Sequence, residues 1–149
     1  MTTLEQRLID VDGGILEVFL SGTGEPTICT SHPFNASSPD KLAFRSGMGR
    51  LVAVTPRGLG RSSAGRGPGD YTFRQRVTDL EAVRRRLGIE RWVFWGSSAG
   101  GCLGLLYALA DPEALSGLIV EYIGSSGPQL AADARSVISP HHSQYQPEL

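Results

Sequence analysis

Five consecutive residues, Gly96-Ser97-Ser98-Ala99-Gly100, have the types and spacing of a nucleophile mounted on a sharp turn. The pattern is G-x-S-x-G, and its surroundings are the demanding part of the match. The apolar, strand-like run Arg91-Trp92-Val93-Phe94-Trp95 leads in, and the apolar, helix-like run from Cys102 to Ala110 leads out. A strand that turns directly into a helix forces the corner residue, Ser98, into a strained backbone conformation and pushes its hydroxyl outward. Side chains at Gly96 and Gly100 would collide, and Gly101 and Gly104 let the helix lie close to the sheet. Ser98 stands where a helix begins, so backbone N–H groups without partners point at whatever it binds. The chemistry that follows is attack by Ser98 on a carbonyl, with the N–H of Ala99 donating to the oxyanion.

A second oxyanion donor is expected from the loop after an earlier strand. That loop carries His32-Pro33-Phe34. Proline has no N–H, so the N–H of Phe34 is the candidate, with His32 as a supporting residue that holds the loop by hydrogen bonds.

The elements that must position these residues are legible as a series. Residues 7–20 read as two strand-like runs around Gly13-Gly14, a hairpin signal. Residues 27–31 and 51–55 are short apolar strands. Between them, Ser38 and Pro39 can open a short helix that Gly47 and Gly49 end. A helix is predicted over about 72–87, where Phe73, Val77, Leu80, Val83 and Leu87 share one face. Thr72 and Gln75 have capping-box spacing, and Gly88 stops the helix. Its Arg84-Arg85-Arg86 run reads as a solvated last turn that suits the helix dipole. Strands at 91–95 and 117–123 flank the serine turn and its helix. A hairpin followed by alternating strands and helices predicts an α/β fold. The sheet is mostly parallel with about six strands, opens on an antiparallel hairpin and carries helices on both faces.

Composition removes other classes. Fourteen Lys and Arg against fifteen Asp and Glu leave a net charge of −1, with no electrostatic footprint for nucleic acid or an anionic membrane. Hydrophobic residues at 40% against 19% charged predict a packed core. No apolar run has the length of a membrane helix, and the polar N-terminus lacks a secretory core segment, which points to the cytoplasm. Cys29 and Cys102 are too few for a disulfide framework or a zinc site and read as small core residues. The loop Gly58-Leu59-Gly60-Arg61-Ser62-Ser63-Ala64-Gly65 is glycine-rich but lacks both the Gly-Lys-Ser/Thr ending of a P-loop and a third glycine in G-x-G-x-x-G register. A nucleotide site is therefore not expected. Neither a cofactor nor a metal is expected.

With these motifs in place, residues 8–124 as a set resemble the α/β-hydrolase family. The hairpin precedes a strand that ends in His32-Pro33, where the family usually has His-Gly. Thr55-Pro56-Arg57-Gly58-Leu59-Gly60-Arg61-Ser62 is similar to the family's Asp-x-Arg-Gly-x-Gly-x-Ser, with Thr55 in place of Asp. Residues 87–101 and 106–120 are similar to its nucleophile region. The resemblance implies a serine hydrolase acting on a small-molecule ester, amide or related carbonyl, and Ser98 excludes the Asp nucleophile of the family's epoxide hydrolases. The proline iminopeptidase branch usually has Trp after the nucleophile, where this chain has Ala99. Arg57, Arg61 and Arg66 lie in a loop that is mainly structural in the family, and Arg57 is expected to hydrogen-bond loop carbonyls.

The family's order is nucleophile, acid, then His. Glu121, within the last predicted strand, is a candidate acid, and His141 and His142 are candidate bases. None has the strand-then-loop context that the family gives these residues. The implied reading is that residues 1–124 are the N-terminal part of a hydrolase domain, and that 125–149 begin a lid or form a frayed tail. The strand at 117–123 would then be a sheet edge open to pairing with a second copy. A hydrolase fold that binds without turning over is the alternative of a different class.

Overall fold

The computed structural model describes residues 4–38 and 47–121. Six strands form one mixed sheet: β1 (Leu4–Val11), β2 (Gly14–Ser21), β3 (Thr27–Thr30), β4 (Arg50–Val54), β5 (Trp92–Ser97) and β6 (Leu115–Glu121). Their spatial order is β1-β2-β4-β3-β5-β6. β1 pairs antiparallel with β2, and β2 with β4. The pairs β4–β3, β3–β5 and β5–β6 are parallel. Strands β3 to β6 therefore all end on one edge of the sheet, where ligands of open α/β sheets bind.

The hairpin forms one residue earlier than its glycine pair implies. Val11 pairs with Gly14, so Asp12 and Gly13 make the turn and Gly13 takes the positive φ of +74°. Gly14 is already in the strand.

Side chains alternate between the two faces along β2 to β5. Leu16, Val18, Leu20, Cys29, Val52, Val54, Trp92 and Phe94 line one face, and Phe19, Ile28, Leu51, Ala53, Val93 and Trp95 the other. Both described helices, α1 (Phe73–Arg86) and α2 (Ala99–Ala110), cover the first face, where Val77, Leu80, Val83, Leu103 and Tyr107 complete the core. The short helix expected from Ser38 falls on residues 39–46, outside the described residues, as do the expected lid segment and the end of the last predicted strand. Among the described residues β6 has β5 as its single neighbour, with Ile119 37% exposed.

The ends of α1 show how local sequence sets its limits. Thr72 Oγ1 accepts the N–H of Gln75, but Gln75 sends its own side chain to Asp79 Oδ1, so only half of the capping box forms. At the other end Gly88 takes φ +67°, and the N–H groups of Gly88 and Ile89 return to the carbonyls of Arg85 and Arg84. That is a Schellman motif, closed by burial of Ile89. Arg85 and Arg86 are exposed as expected. Arg84 is not simply solvated: it forms a two-pronged pair with Glu81 and donates to the carbonyls of Ile89 and Glu90.

Candidate active site

The turn between β5 and α2 has the strain its glycines imply. Ser98 has φ 53° and ψ −124°, and among the described residues no other non-glycine residue has a positive φ. Its backbone is fixed from both sides. The Ser98 N–H donates to the carbonyl of Glu121 at 2.8 Å, and its carbonyl accepts from Gly101 at 2.9 Å and Cys102 at 3.2 Å. Ser97 and Ser98 are both exposed, so the strained corner presents its hydroxyl to solvent.

Gly96 is the least replaceable residue of the turn, because a Cβ there would lie 2.0 Å from the carbonyl oxygen of Gly100. A Cβ on Gly100 would meet the carbonyl oxygen of Ser31 at 3.0 Å and Cδ2 of His32 at 3.7 Å. The missing side chain thus brings the first turn of α2 against the loop after β3. Ala99 opens α2, and the first N–H groups of a helix have no acceptor within it.

The loop after β3 is tied to the end of β4 at two points. Ser31 Oγ donates to the carbonyl of Val54 at 2.8 Å, and Thr55 Oγ1 accepts the N–H of Ser37 at 3.1 Å. Thr55, the departure from the family's Asp, is fully buried and does this tethering with its hydroxyl. Between the tethers, His32 Nδ1 accepts the N–H of Phe34 at 3.2 Å, and the Phe34 ring is 64% exposed. The two rings meet edge to face with centroids 6.0 Å apart.

The 55–63 loop is held by its own network. Ser62 Oγ donates to the carbonyl of Thr55 and accepts the N–H of Glu17. Arg57, with 1% of its side chain exposed, donates to the carbonyls of Asp12 and Gly13, as expected. It also forms a bidentate pair with Asp79 of α1, both bonds at 2.8 Å, and this hydrogen bonding holds the guanidinium charged more firmly than usual. That buries Arg57 away from any substrate. Arg66 is exposed and pairs with Asp70.

Glu121 lies at the C-terminal end of β6, opposite Ser97. Its carboxylate accepts from Trp95 Nε1 at 2.9 Å, and Trp95 belongs to the face opposite α1 and α2. Glu121 thus does two things: its carbonyl anchors Ser98, and its carboxylate caps an indole. His141 and His142 lie outside the described residues. Among the described residues no group of three or more His, Cys, Asp and Glu is placed to hold a metal, and no helix is long and apolar enough to cross a membrane.

The model of the α/β hydrolase fold matches residues 26–140. The chain belongs to the α/β-hydrolase fold family. A proline iminopeptidase of Neisseria gonorrhoeae is 39% identical over 92 residues, covering 61% of this chain and 30% of that protein. A probable proline iminopeptidase of Streptomyces coelicolor is 35% identical over 104 residues, covering 65% of this chain and 32% of that protein. The matched stretch thus spans about a third of the length of these curated relatives. Among solved structures, an alpha/beta fold family hydrolase from Bacillus anthracis superposes with a TM-score of 0.73 at 29% identity, covering 80% of this chain and 44% of that one.

Within the α/β-hydrolase frame, the structure brings together Ser98, Ala99, Gly96, Gly100 and the His32–Phe34 loop at one sheet edge. Two participants escaped the sequence reading. Asp79 sits three residues after Arg76 and four before Val83, a helical stripe beside the apolar face, and Arg76, Asp79 and Val83 are all buried. That spacing was the available signal for a core-facing acid. The Trp95–Glu121 contact depends on the parallel register of β5 and β6, which no local pattern encodes.

Proposed function

We propose that the chain carries the nucleophile half of a serine hydrolase acting on an ester, amide or related carbonyl. The observation that carries this reading is the strained, exposed Ser98 between β5 and α2. Strain of this kind persists only where surrounding structure enforces it, and it clusters at functional sites. Ser98 Oγ attacks the carbonyl carbon while a base takes its proton. The N–H groups of Ala99 and Phe34 stabilise the oxyanion; its collapse breaks the bond to the alcohol or amine, which leaves with the proton from the base, and water then hydrolyses the acyl-enzyme. The base is a His paired with an acid in the family's order. His32, the one histidine among the described residues, is engaged with Phe34. His141 and His142 are the chain's other histidines.

A second reading narrows the substrate to peptides with an N-terminal proline. Its support is the 39% identity to a proline iminopeptidase, and Ala99 in place of the Trp usual in that branch argues against it.

The test is reaction with a fluorophosphonate probe followed by peptide mapping. The expected result is one adduct, on Ser98, that disappears in Ser98→Ala. Labelling elsewhere, or turnover unaffected by Ser98→Ala, overturns the reading. Prolyl-p-nitroanilide against a p-nitrophenyl ester then separates the peptidase from the esterase. Saturable ester binding without an adduct is the signature of a hydrolase fold that binds only.

A further inference from the structure

The second oxyanion donor is already occupied in the molecule as it stands. The backbone around it is closely confined: Ser31 and Ser37 are tethered to the end of β4, and Ser31 and His32 abut the first turn of α2 at Gly100. Pro33 contributes no N–H. The N–H of Phe34 points onto Nδ1 of its own neighbour, His32, at 3.2 Å, while the His32 carbonyl takes the N–H of Asn35 at 3.4 Å. An Nδ1 that accepts has an open lone pair, so the imidazole proton of neutral His32 is on Nε2.

The geometry points to His32 as a positioning residue of the oxyanion hole: its Nδ1 holds the Phe34 N–H in the resting protein and yields it to the substrate oxygen as charge develops there. This rests on the reading of Ser98 as nucleophile and Phe34 as donor. The exchange has a physical consequence. A neutral carbonyl that displaces Nδ1 replaces one neutral hydrogen bond by another, so the bound substrate gains little. An oxyanion forms a charge-assisted bond, roughly twice as strong as a neutral one. The donor therefore favours the tetrahedral intermediate over the ground state, and only such differential binding accelerates the chemical step. No proton changes hands with His32. One N–H exchanges one acceptor for another.

The test uses the full chain labelled with ¹⁵N, as wild type, His32→Asn and His32→Leu. Asn presents Oδ1 as an acceptor two residues before the N–H, the arrangement of an Asx-turn, whereas Leu presents none. In the free protein His32 Nδ1 is expected to resonate as an unprotonated nitrogen and the Phe34 amide to be protected from exchange. That protection survives in His32→Asn and falls roughly tenfold in His32→Leu, the worth of one net hydrogen bond. When a phosphonate is attached to Ser98, the Phe34 amide proton shifts downfield and the Nδ1 resonance moves with it. Labelling in His32→Leu should slow because the Phe34 N–H is no longer held in place before the phosphonate arrives, whereas His32→Asn should stay close to wild type. A protonated Nδ1 in the free protein, or a Phe34 amide unmoved by a Ser98 adduct, overturns the exchange alone. No adduct on Ser98 while Nδ1 still accepts from Phe34 overturns the nucleophile reading, and the exchange falls with it.

Discussion

Removing the Asp79 carboxylate should expose how much of the fold depends on one buried ion pair. Arg57 is fully buried, and Asp79 supplies two of its hydrogen bonds at 2.8 Å. In Asp79→Ala the guanidinium keeps the carbonyl of Asp12 at 2.6 Å, and the nearest other carboxylate, Asp70, is 3.8 Å away. Breaking one side of a buried pair costs about 3–5 kcal/mol, because the remaining charge is stranded. The retained carbonyl bond and the distant Asp70 put the expected loss near the lower end, about 3 kcal/mol. Against a typical total of ~5–15 kcal/mol that is a large fraction. Urea unfolding followed by circular dichroism measures it as a drop in midpoint at unchanged slope. The paired replacement Arg57→Met with Asp79→Leu removes both charges and refills the volume, so it should cost less than Asp79→Ala alone. A loss under about 1 kcal/mol in Asp79→Ala, the range of an exposed pair, refutes the stranded-charge reasoning. So does a double variant as unstable as the single.

Four other outcomes follow from the same structure. Gly96→Ala sets a Cβ 2.0 Å from the Gly100 carbonyl, backbone against backbone, and should abolish phosphonate labelling of Ser98. Gly104→Ala sets a Cβ 2.8 Å from Leu118 Cδ1 and from the buried Phe94 ring, side chains away from the turn, and should label normally at a stability cost of about 1–3 kcal/mol in thermal unfolding. Thr72→Ala removes the α1 cap and should cost about 1 kcal/mol by the same assay. Burial pushes the Glu81 carboxyl up, but hydrogen bonds from Arg84 and the Tyr107 hydroxyl outweigh it, so its pKa lies below the ordinary 4.5. A depressed acid adds stability above its unfolded pKa and loses it as pH falls through the folded value. Melting curves below pH 4.5 should therefore decline less steeply for Glu81→Gln than for wild type, and parallel curves count against the assignment.

What the sequence made legible was whatever depends on local spacing. The 3.6-residue period placed Val77, Leu80 and Val83 in the core, and the glycines at 96 and 100 mark a corner too tight for side chains. The hairpin turn lies one residue before the glycine pair, because Gly13-Gly14 satisfies the same signal as Asp12-Gly13. Register decides between them, and the sheet sets register. The half-formed capping box at Thr72 has a tertiary cause: Gln75 is drawn to Asp79, which serves Arg57, which holds the hairpin. Gln75 and Asp79 are one helical turn apart, but the 22 and 45 residues that separate Arg57 from Asp79 and from Asp12 leave no periodic trace.

The candidate site keeps its backbone contacts despite its departures from the family pattern. A Thr at position 55 removes a carboxylate, yet the positions that matter are backbone ones: the N–H of Ser37 needs an acceptor, and a hydroxyl supplies it. A Pro at position 33 removes one N–H from the loop, yet the adjacent Phe34 keeps its own, and His32 supplies an acceptor for it. In both cases the N–H groups that remain, those of Ser37 and Phe34, have an acceptor. Buried polar groups at such an edge must be matched one for one. The loop after β3, the end of β4 and the first turn of α2 therefore act as a single support, with tethers at Ser31, Thr55 and the carbonyl of Glu121.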